Sequence, residues 1–264
     1  MLIIKIGGGE SLNLEGIVKD LTQVKEPYIL VHGANALRDE LARKLGIEKR
    51  VVTSLSGYSS VFSDGQAIDL LMLAYAGLKN KRLVELCQIH GINAVGLSGL
   101  DGRIIQGERN KGIKVKEGEK TLVLRDFSGK PRSINTQLLQ HLLANGYTPV
   151  LSMPIIDENG FAINSENDDV VTVLTQSLSA KSVISLIEAP GFLEDTKDPN
   201  SLVKEICSEE LLVREEQVEN RMKRKILALR KLFESGAAKV IISDGRVEHP
   251  LLDALNGAGT VIIK

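Results

Sequence analysis

Lys5 sits inside the apolar run Leu2 to Ile6 and is followed at once by Gly7, Gly8 and Gly9. Glycines after a strand let backbone amides approach an anion without side-chain obstruction, and the lysine sets a charge beside them, which suits phosphate. Glycine clusters also make plain turns. The P-loop spacing and the GxGxxG spacing are both absent, so neither familiar nucleotide loop is indicated. The next apolar run, Tyr28 to Val31, ends in His32-Gly33-Ala34-Asn35. Two glycine-bearing turns at the carboxyl ends of adjacent strands are what an open α/β sheet offers a ligand. His32 reads either as a packed or capping residue or as a proton-transfer group.

Two further clusters carry charge. Asn164-Ser165-Glu166-Asn167-Asp168-Asp169 opens a helix. An N-cap with acidic residues complementing the helix dipole explains it. If the helix starts by Asn164, however, Asn164 and Asp168 lie four apart on one face and hold a ligand and a lysine together. Arg221-Met222-Lys223-Arg224-Lys225 packs cations at the beginning of another helix. A solvated basic face accounts for most of them, but cations there oppose the dipole, so at least one is expected to neutralise a ligand.

The elements that must position these residues follow from hydrophobic periodicity. Short aliphatic runs at Leu2 to Ile6, Tyr28 to Val31, Ala94 to Leu97, Thr148 to Leu151, Ser182 to Ile187, Lys239 to Ile242 and Thr260 to Ile263 read as buried strands. Between them Leu14 to Val24, Ala36 to Leu45, Ala67 to Ile89, Thr136 to Ala144, Asp169 to Leu178 and Val218 to Phe233 repeat apolar residues at three- and four-residue steps, as amphipathic helices do. The alternation predicts an α/β fold, a three-layer αβα sandwich with a largely parallel central sheet. Arg103 to Arg132 breaks it. Ile104-Ile105, Gly112 to Val115, Thr121 to Leu124 and a turn at Ser128 to Pro131 predict hairpins added to the sheet's edge. Two lobes are expected, residues 1–145 and 146–264, with a ligand in the cleft between them.

Composition narrows the function. The 33 basic and 34 acidic side chains leave a net charge of -1, so no global field draws the chain onto polyanions and nucleic acid is excluded as a main partner. Cys87 and Cys207 lie far apart with no Cys/His cluster near either, which removes a disulfide framework and a zinc site. Met1 to Ile6 runs at once into Gly7-Gly8-Gly9 and no apolar run approaches a membrane span, so a cytoplasmic protein is expected. With 3% aromatic residues and no Trp, the core must be aliphatic, which suits a sheet buried on both faces.

Taken in order, K-x-G-G (Lys5 to Gly8), H-G-A-N (His32 to Asn35), N-A-V-G-L-S-G-L-D-G (Asn93 to Gly102), S-G-K-P-R-S-I-N (Ser128 to Asn135), G-Y-T-P-V (Gly146 to Val150), I-N-S-E-N-D (Ile163 to Asp168), R-M-K-R-K (Arg221 to Lys225) and D-G-R (Asp244 to Arg246) resemble the amino acid kinase family over nearly the whole chain. The likeness is to its acetylglutamate kinase branch, and most of all to the kinases of the amino-group-carrier (LysW) lysine and arginine pathways. The resemblance implies a homodimer whose residues 1–145 bind the amino acid and whose residues 146–264 bind ATP with magnesium (Mg2+). It also implies phosphorylation of a side-chain carboxylate, on an N-blocked, carrier-protein-linked aminoadipate or glutamate, to an acyl phosphate. On it Lys5 and Lys225 flank the migrating phosphoryl group and Asp168 orients both. Gly7 and Gly8 offer amides to phosphates, with Glu188 and Gly191 near the nucleotide. Gly33, Ala34, Asn35, Val61 and Asn164 face the acceptor. Magnesium rides on the nucleotide phosphates and no protein metal ligand is expected.

Two departures stand out. Ala34 replaces the second glycine of the usual H-G-G. The branch also carries an arginine, gripping the substrate's α-carboxylate, three residues before the Asp that opens the long helix; Ser60-Val61-Phe62-Ser63-Asp64 puts Val61 there. A lost charge-assisted contact of that kind costs ~1.5 to 3 kcal/mol. Either a nearby cation substitutes or the acceptor differs. Arg43, Lys44, Lys49 and Arg50 just upstream read as a solvated helix end or as a dock for an acidic carrier protein. Three readings stay open: a carboxylate kinase on a carrier-linked or acetylated acceptor, a kinase of the same fold with another small acceptor, and a catalytically silent nucleotide- or amino-acid-binding regulator.

Overall fold

The computed structural model describes residues 1–55, 59–117, 120–195, 198, 200–216 and 220–264, with 59, 60, 117 and 220–225 described by backbone path alone. An eight-stranded sheet forms the middle layer in the order Glu205–Cys207, Thr260–Ile263, Lys239–Asp244, Ser182–Ile187, Leu2–Ile6, Tyr28–His32, Thr148–Ser152, Ala94–Ser98. The strands from Lys239–Asp244 through Ala94–Ser98 run parallel. At the far edge Thr260–Ile263 turns antiparallel to Lys239–Asp244 and takes Glu205–Cys207 with it.

Alternation along each strand divides the core into two layers. Leu2, Ile4 and Ile6 join Leu30, Val150, Ile184 and Leu186 on one face, under the helices Leu14–Leu21, Asn80–Ile89 and Pro250–Leu255. Ile3 points the other way with Ile29, Val31, Leu151 and Val183, against helices Asn167–Leu178 and Asn220–Glu234. This is the expected αβα sandwich. The period of two also fixes Lys5 on the face of Ile3, the face covered by the helix that carries Asp168.

The segment Arg103 to Arg132 corrects one expectation. Its strands do not extend the central sheet. Ile105–Arg109 and Gly129–Ile134 pair antiparallel and, with Ile155–Ile156 and Ala162–Ile163, make a separate four-stranded sheet. Ile113–Glu117 and Lys120–Leu124 form their own two-stranded hairpin. The reason lies in burial: Ile104, Ile105, Ile134, Ile155 and Ile163 share the core on the Ile3 side, which an in-plane edge position would expose. Ser128 to Pro131 is not a turn, since Gly129 and Pro131 pair with Arg109 and Gly107 beside a register shift at Gln106/Gly107.

The long helical run continues unbroken but changes pitch: Gly65–Leu71 and Asn80–Ile89 are α-helical and Met72–Lys79 between them is a π-helix. Asp64 caps its start by accepting the Ala67 N–H at 2.9 Å. Among the described residues no helix is long and apolar enough to cross a membrane.

Candidate active site

The first two strands are parallel neighbours with Ile6 opposite His32, so the turns that follow them leave the sheet side by side. They pack backbone against backbone. The Gly33 N–H donates to the Ile6 carbonyl at 2.9 Å and the Ala36 N–H to the Gly8 carbonyl at 2.9 Å. A Cβ on Gly8 would lie 2.7 Å from the Asn35 nitrogen, and one on Gly33 would lie 2.8 Å from the Gly8 nitrogen, so both positions require glycine. Ala34 fits, buried at the N-terminus of helix Asn35–Leu45. The Gly7 amide is taken by the Leu186 carbonyl at 2.9 Å. Among the described residues neither the Gly8 nor the Gly9 amide has a hydrogen-bond partner, which leaves both as donors of this turn.

Lys5 forms an ion pair with Asp168, their side chains 16% and 43% exposed. Asp168 stands in the first turn of helix Asn167–Leu178. The same turn reaches the second glycine turn: Asn167 Nδ2 donates to the His32 carbonyl at 3.5 Å, while its Oδ1 is buried without a partner. Lysine, carboxylate and both glycine turns therefore form one constellation. Asn164 does not share a helix face with Asp168, contrary to the spacing argument, because the helix begins at Asn167. The Asn164 N–H donates to the Phe127 carbonyl at 2.7 Å and its carbonyl accepts from the Gly129 N–H at 2.9 Å, and this bridge keeps it extended.

Asn164 instead faces a different neighbour. Its Nδ2 donates to Ser63 Oγ at 3.1 Å. The buried Asp126 carboxylate ties this corner together, accepting the Ser63 N–H at 3.1 Å, the Ser128 N–H at 3.2 Å and the Ser128 hydroxyl at 2.6 Å. Val61 ends the strand Ser59–Val61 and lines a small cavity with Ser63 and Asn164. Asn35 accepts from the Tyr75 hydroxyl at 2.6 Å. Asp126, Tyr75 and Asn167 escaped the sequence reading, since partners across such separations leave no local spacing to detect.

His32 takes the packed reading. It is fully buried, its Nδ1 lies 3.2 Å from the Gly33 carbonyl and its Nε2 3.1 Å from Asn80 Nδ2. A carbonyl only accepts, so Nδ1 carries the proton and Nε2 accepts from Asn80. Burial lowers its pKa to about 4, so the ring is neutral at neutral pH and props the turn.

Lys5 and Asp168 line a cavity of about 290 Å3 whose wall is otherwise largely apolar, including Val171, Ile187, Phe192 and Leu229. Gly191 lines it. Glu188 does not; its carboxylate accepts the Ser11 N–H at 2.8 Å and hydroxyl at 2.6 Å, bonds that hold its pKa below the usual value. Helix Asn220–Glu234 contributes Ala228, Leu229 and Leu232 to the wall. Lys225 belongs to that helix one turn earlier, and its side chain lies outside the described residues. Of the basic stretch upstream of Val61, Lys44 pairs with Glu40 at 2.5 Å, Lys49 with Asp39 at 3.1 Å, and Arg50 stacks on Phe62 at 4.5 Å.

Comparison with known proteins follows the same line. The model of the amino acid kinase family matches residues 1–244. The LysW-aminoadipate kinase of Thermus thermophilus is 38% identical over 268 residues, covering 99% of this chain and 100% of the relative. The acetylglutamate kinase of Methanopyrus kandleri is 32% identical over 264 residues, covering 99% and 100%. Carbamate kinase from Giardia lamblia bound to AMP-PNP superposes with a TM-score of 0.70 at 17% identity, covering 100% of this chain and 98% of that one, a likeness of fold.

Proposed function

Because the chain belongs to the amino acid kinase family, we propose that it transfers the γ-phosphoryl group of ATP to the side-chain carboxylate of an N-blocked aminoadipate or glutamate, forming an acyl phosphate in lysine or arginine biosynthesis. The observation that carries this reading is the Lys5–Asp168 pair standing between an apolar cavity and two facing glycine turns. Phosphoryl transfer needs positioning and charge stabilisation more than covalent help. A carboxylate is already ionised at neutral pH, so the acceptor needs no general base, and a neutral buried His32 is no obstacle.

In this reading the apolar cavity takes the adenine, Lys5 and the Gly8 amide hold the phosphates, Lys225 reaches the phosphoryl group from the opposite side, and Asp168 keeps Lys5 aimed. Gly7 shapes the turn, while Gly191 lines the nucleotide cavity and Glu188 braces its rim through Ser11. Gly33, Ala34, Asn35, Val61 and Asn164 border the acceptor. Magnesium supplies charge neutralisation on the phosphates when bound, and the Asp168 carboxylate is the acidic group of this constellation. Residues 1–145 serve the acceptor and 146–264 the nucleotide, in a cytoplasmic homodimer.

The N-block is a carrier protein in the reading we favour, because the LysW-aminoadipate kinase of Thermus thermophilus matches over its full length. Arg43 and Lys44 are then part of an acidic carrier's dock. Val61 in the acceptor-side cavity favours one second reading, a kinase of this fold with another small acid. The test is ATP-dependent hydroxamate formation when hydroxylamine is added with candidate acceptors. Carrier-linked or acetylated aminoadipate and glutamate should give hydroxamate; product from a different acid alone selects the second reading, and ATP binding with no acceptor at all points to a silent regulator.

A further inference from the structure

Aminoadipate and glutamate derivatives carry two carboxylates. One receives the phosphoryl group, and the other is a fixed anion that the protein must hold or leave in water. The acceptor-side cavity, about 40 Å3, is lined by Val61, Ser63 and Asn164 and by charges of both signs, Arg38, Lys49 and Arg50 with Asp39, Glu48 and Asp64. Arg38 lies in the first turn of helix Asn35–Leu45, and its N–H donates to the Ala34 carbonyl at 2.8 Å, so it stems directly from the second glycine turn. Its side chain is 15% exposed, against 43% for Lys49 on the same cavity.

The guanidinium is fixed along one edge. Its Nε and Nη2 donate to Asp39 Oδ1 at 3.0 and 2.8 Å, and Asp39 is braced by Lys49 at 3.1 Å. Among the described residues Nη1 has no partner. Arg38 shares its helix with Asn35, whose side chain accepts from the Tyr75 hydroxyl at 2.6 Å, and its own side chain lines the cavity with Asn164. A planar cation held on one edge, with another N–H edge open beside a polar pocket, is preorganised for a carboxylate.

We propose that Arg38 is a specificity-determining residue that binds the acceptor carboxylate not being phosphorylated. The inference rests on the carboxylate-kinase reading above. Its test uses the full chain and three acceptors: N-acetylglutamate, N-acetyl-α-aminoadipate and an acidic N-acetylated hexapeptide ending in glutamate. Each is supplied as the free acid and as its α-carboxamide, and kcat/KM is measured from ADP release for wild type, Arg38→Gln and Arg38→Lys.

Wild type should prefer the free acid by roughly 10- to 100-fold. Arg38→Gln should lose that preference with KM for ATP unchanged, and Arg38→Lys should restore part of it. An Arg38→Gln enzyme that keeps the wild-type preference overturns the assignment, as does a wild type that accepts acid and carboxamide equally. A wild type that phosphorylates none of the six compounds overturns this assignment; if carrier-linked aminoadipate added to the same assay is phosphorylated, the carboxylate-kinase reading survives that failure, and if it is not, both fall.

Discussion

Lys5 and Asp168 meet across 163 residues of chain, the lysine on the inner face of the central strand and the carboxylate in the first turn of the helix that covers it. A half-exposed pair of this kind adds at most ~1 kcal/mol to stability. Its consequence is positional. Asp168→Asn should leave the melting temperature within a few degrees of wild type while kcat falls by about two orders of magnitude, because an unanchored lysine is no longer aimed at the phosphoryl group. Steady-state kinetics with a thermal melt checks both halves.

The acceptor side should respond separately. Asn164→Ala removes the amide held by Ser63 and should raise acceptor KM by about tenfold with KM for ATP unchanged. An unchanged acceptor KM would reduce Asn164 to a strand-bridging residue.

Carrier docking predicts a split between substrates. Replacing Arg43 and Lys44 with Glu reverses charge on the last turn of helix Asn35–Leu45 and should raise the apparent KM for a carrier-linked acceptor while leaving a free small one unaffected. Equal effects on both would reject docking there.

Two histidines give stability opposite slopes in pH. Folded His32 has its pKa lowered from 6.5 to about 4 by burial, so between those values the unfolded chain binds a proton that the folded chain refuses, and stability falls as pH drops from 6.5 to about 4. His249 has its pKa raised by its hydrogen bond to buried Asp20 at 3.0 Å, so its contribution is present below 6.5 and is lost as pH rises through the higher folded value. Urea denaturation across pH 4.5 to 8 should show the acid-side slope flatten in His32→Asn and the alkaline-side slope flatten in His249→Asn.

Much of this architecture was legible in the sequence for a physical reason. Strands buried on both faces read as continuous aliphatic runs, so Ser182–Ile187 appears at its observed limits, and Thr260–Ile263 does too although only Thr260 and Ile262 on one of its faces are buried. Helix Thr136–Ala144 also appears at its observed limits. Period alone does not say which sheet a strand joins, and the segment from Arg103 to Arg132 was misplaced for that reason. The helix after Ile163 starts three residues later than Asn164 because a pairing with Phe127 and Gly129, remote in sequence, holds that asparagine extended. Lys5, Asp168 and the glycine turns carry local signatures of charge and backbone freedom; Arg38 and Asp126 acquire their surroundings only when distant loops meet.

The central claim is that Lys5 stabilises the migrating phosphoryl group. It is tested most directly by comparing Lys5→Gln with wild type in single-turnover phosphoryl transfer, alongside equilibrium binding of ATP. The account predicts a rate lower by about 10²- to 10³-fold with ATP affinity changed far less, as for a contact that strengthens in the transition state. A Lys5→Gln enzyme that transfers phosphoryl groups at nearly the wild-type rate would contradict it.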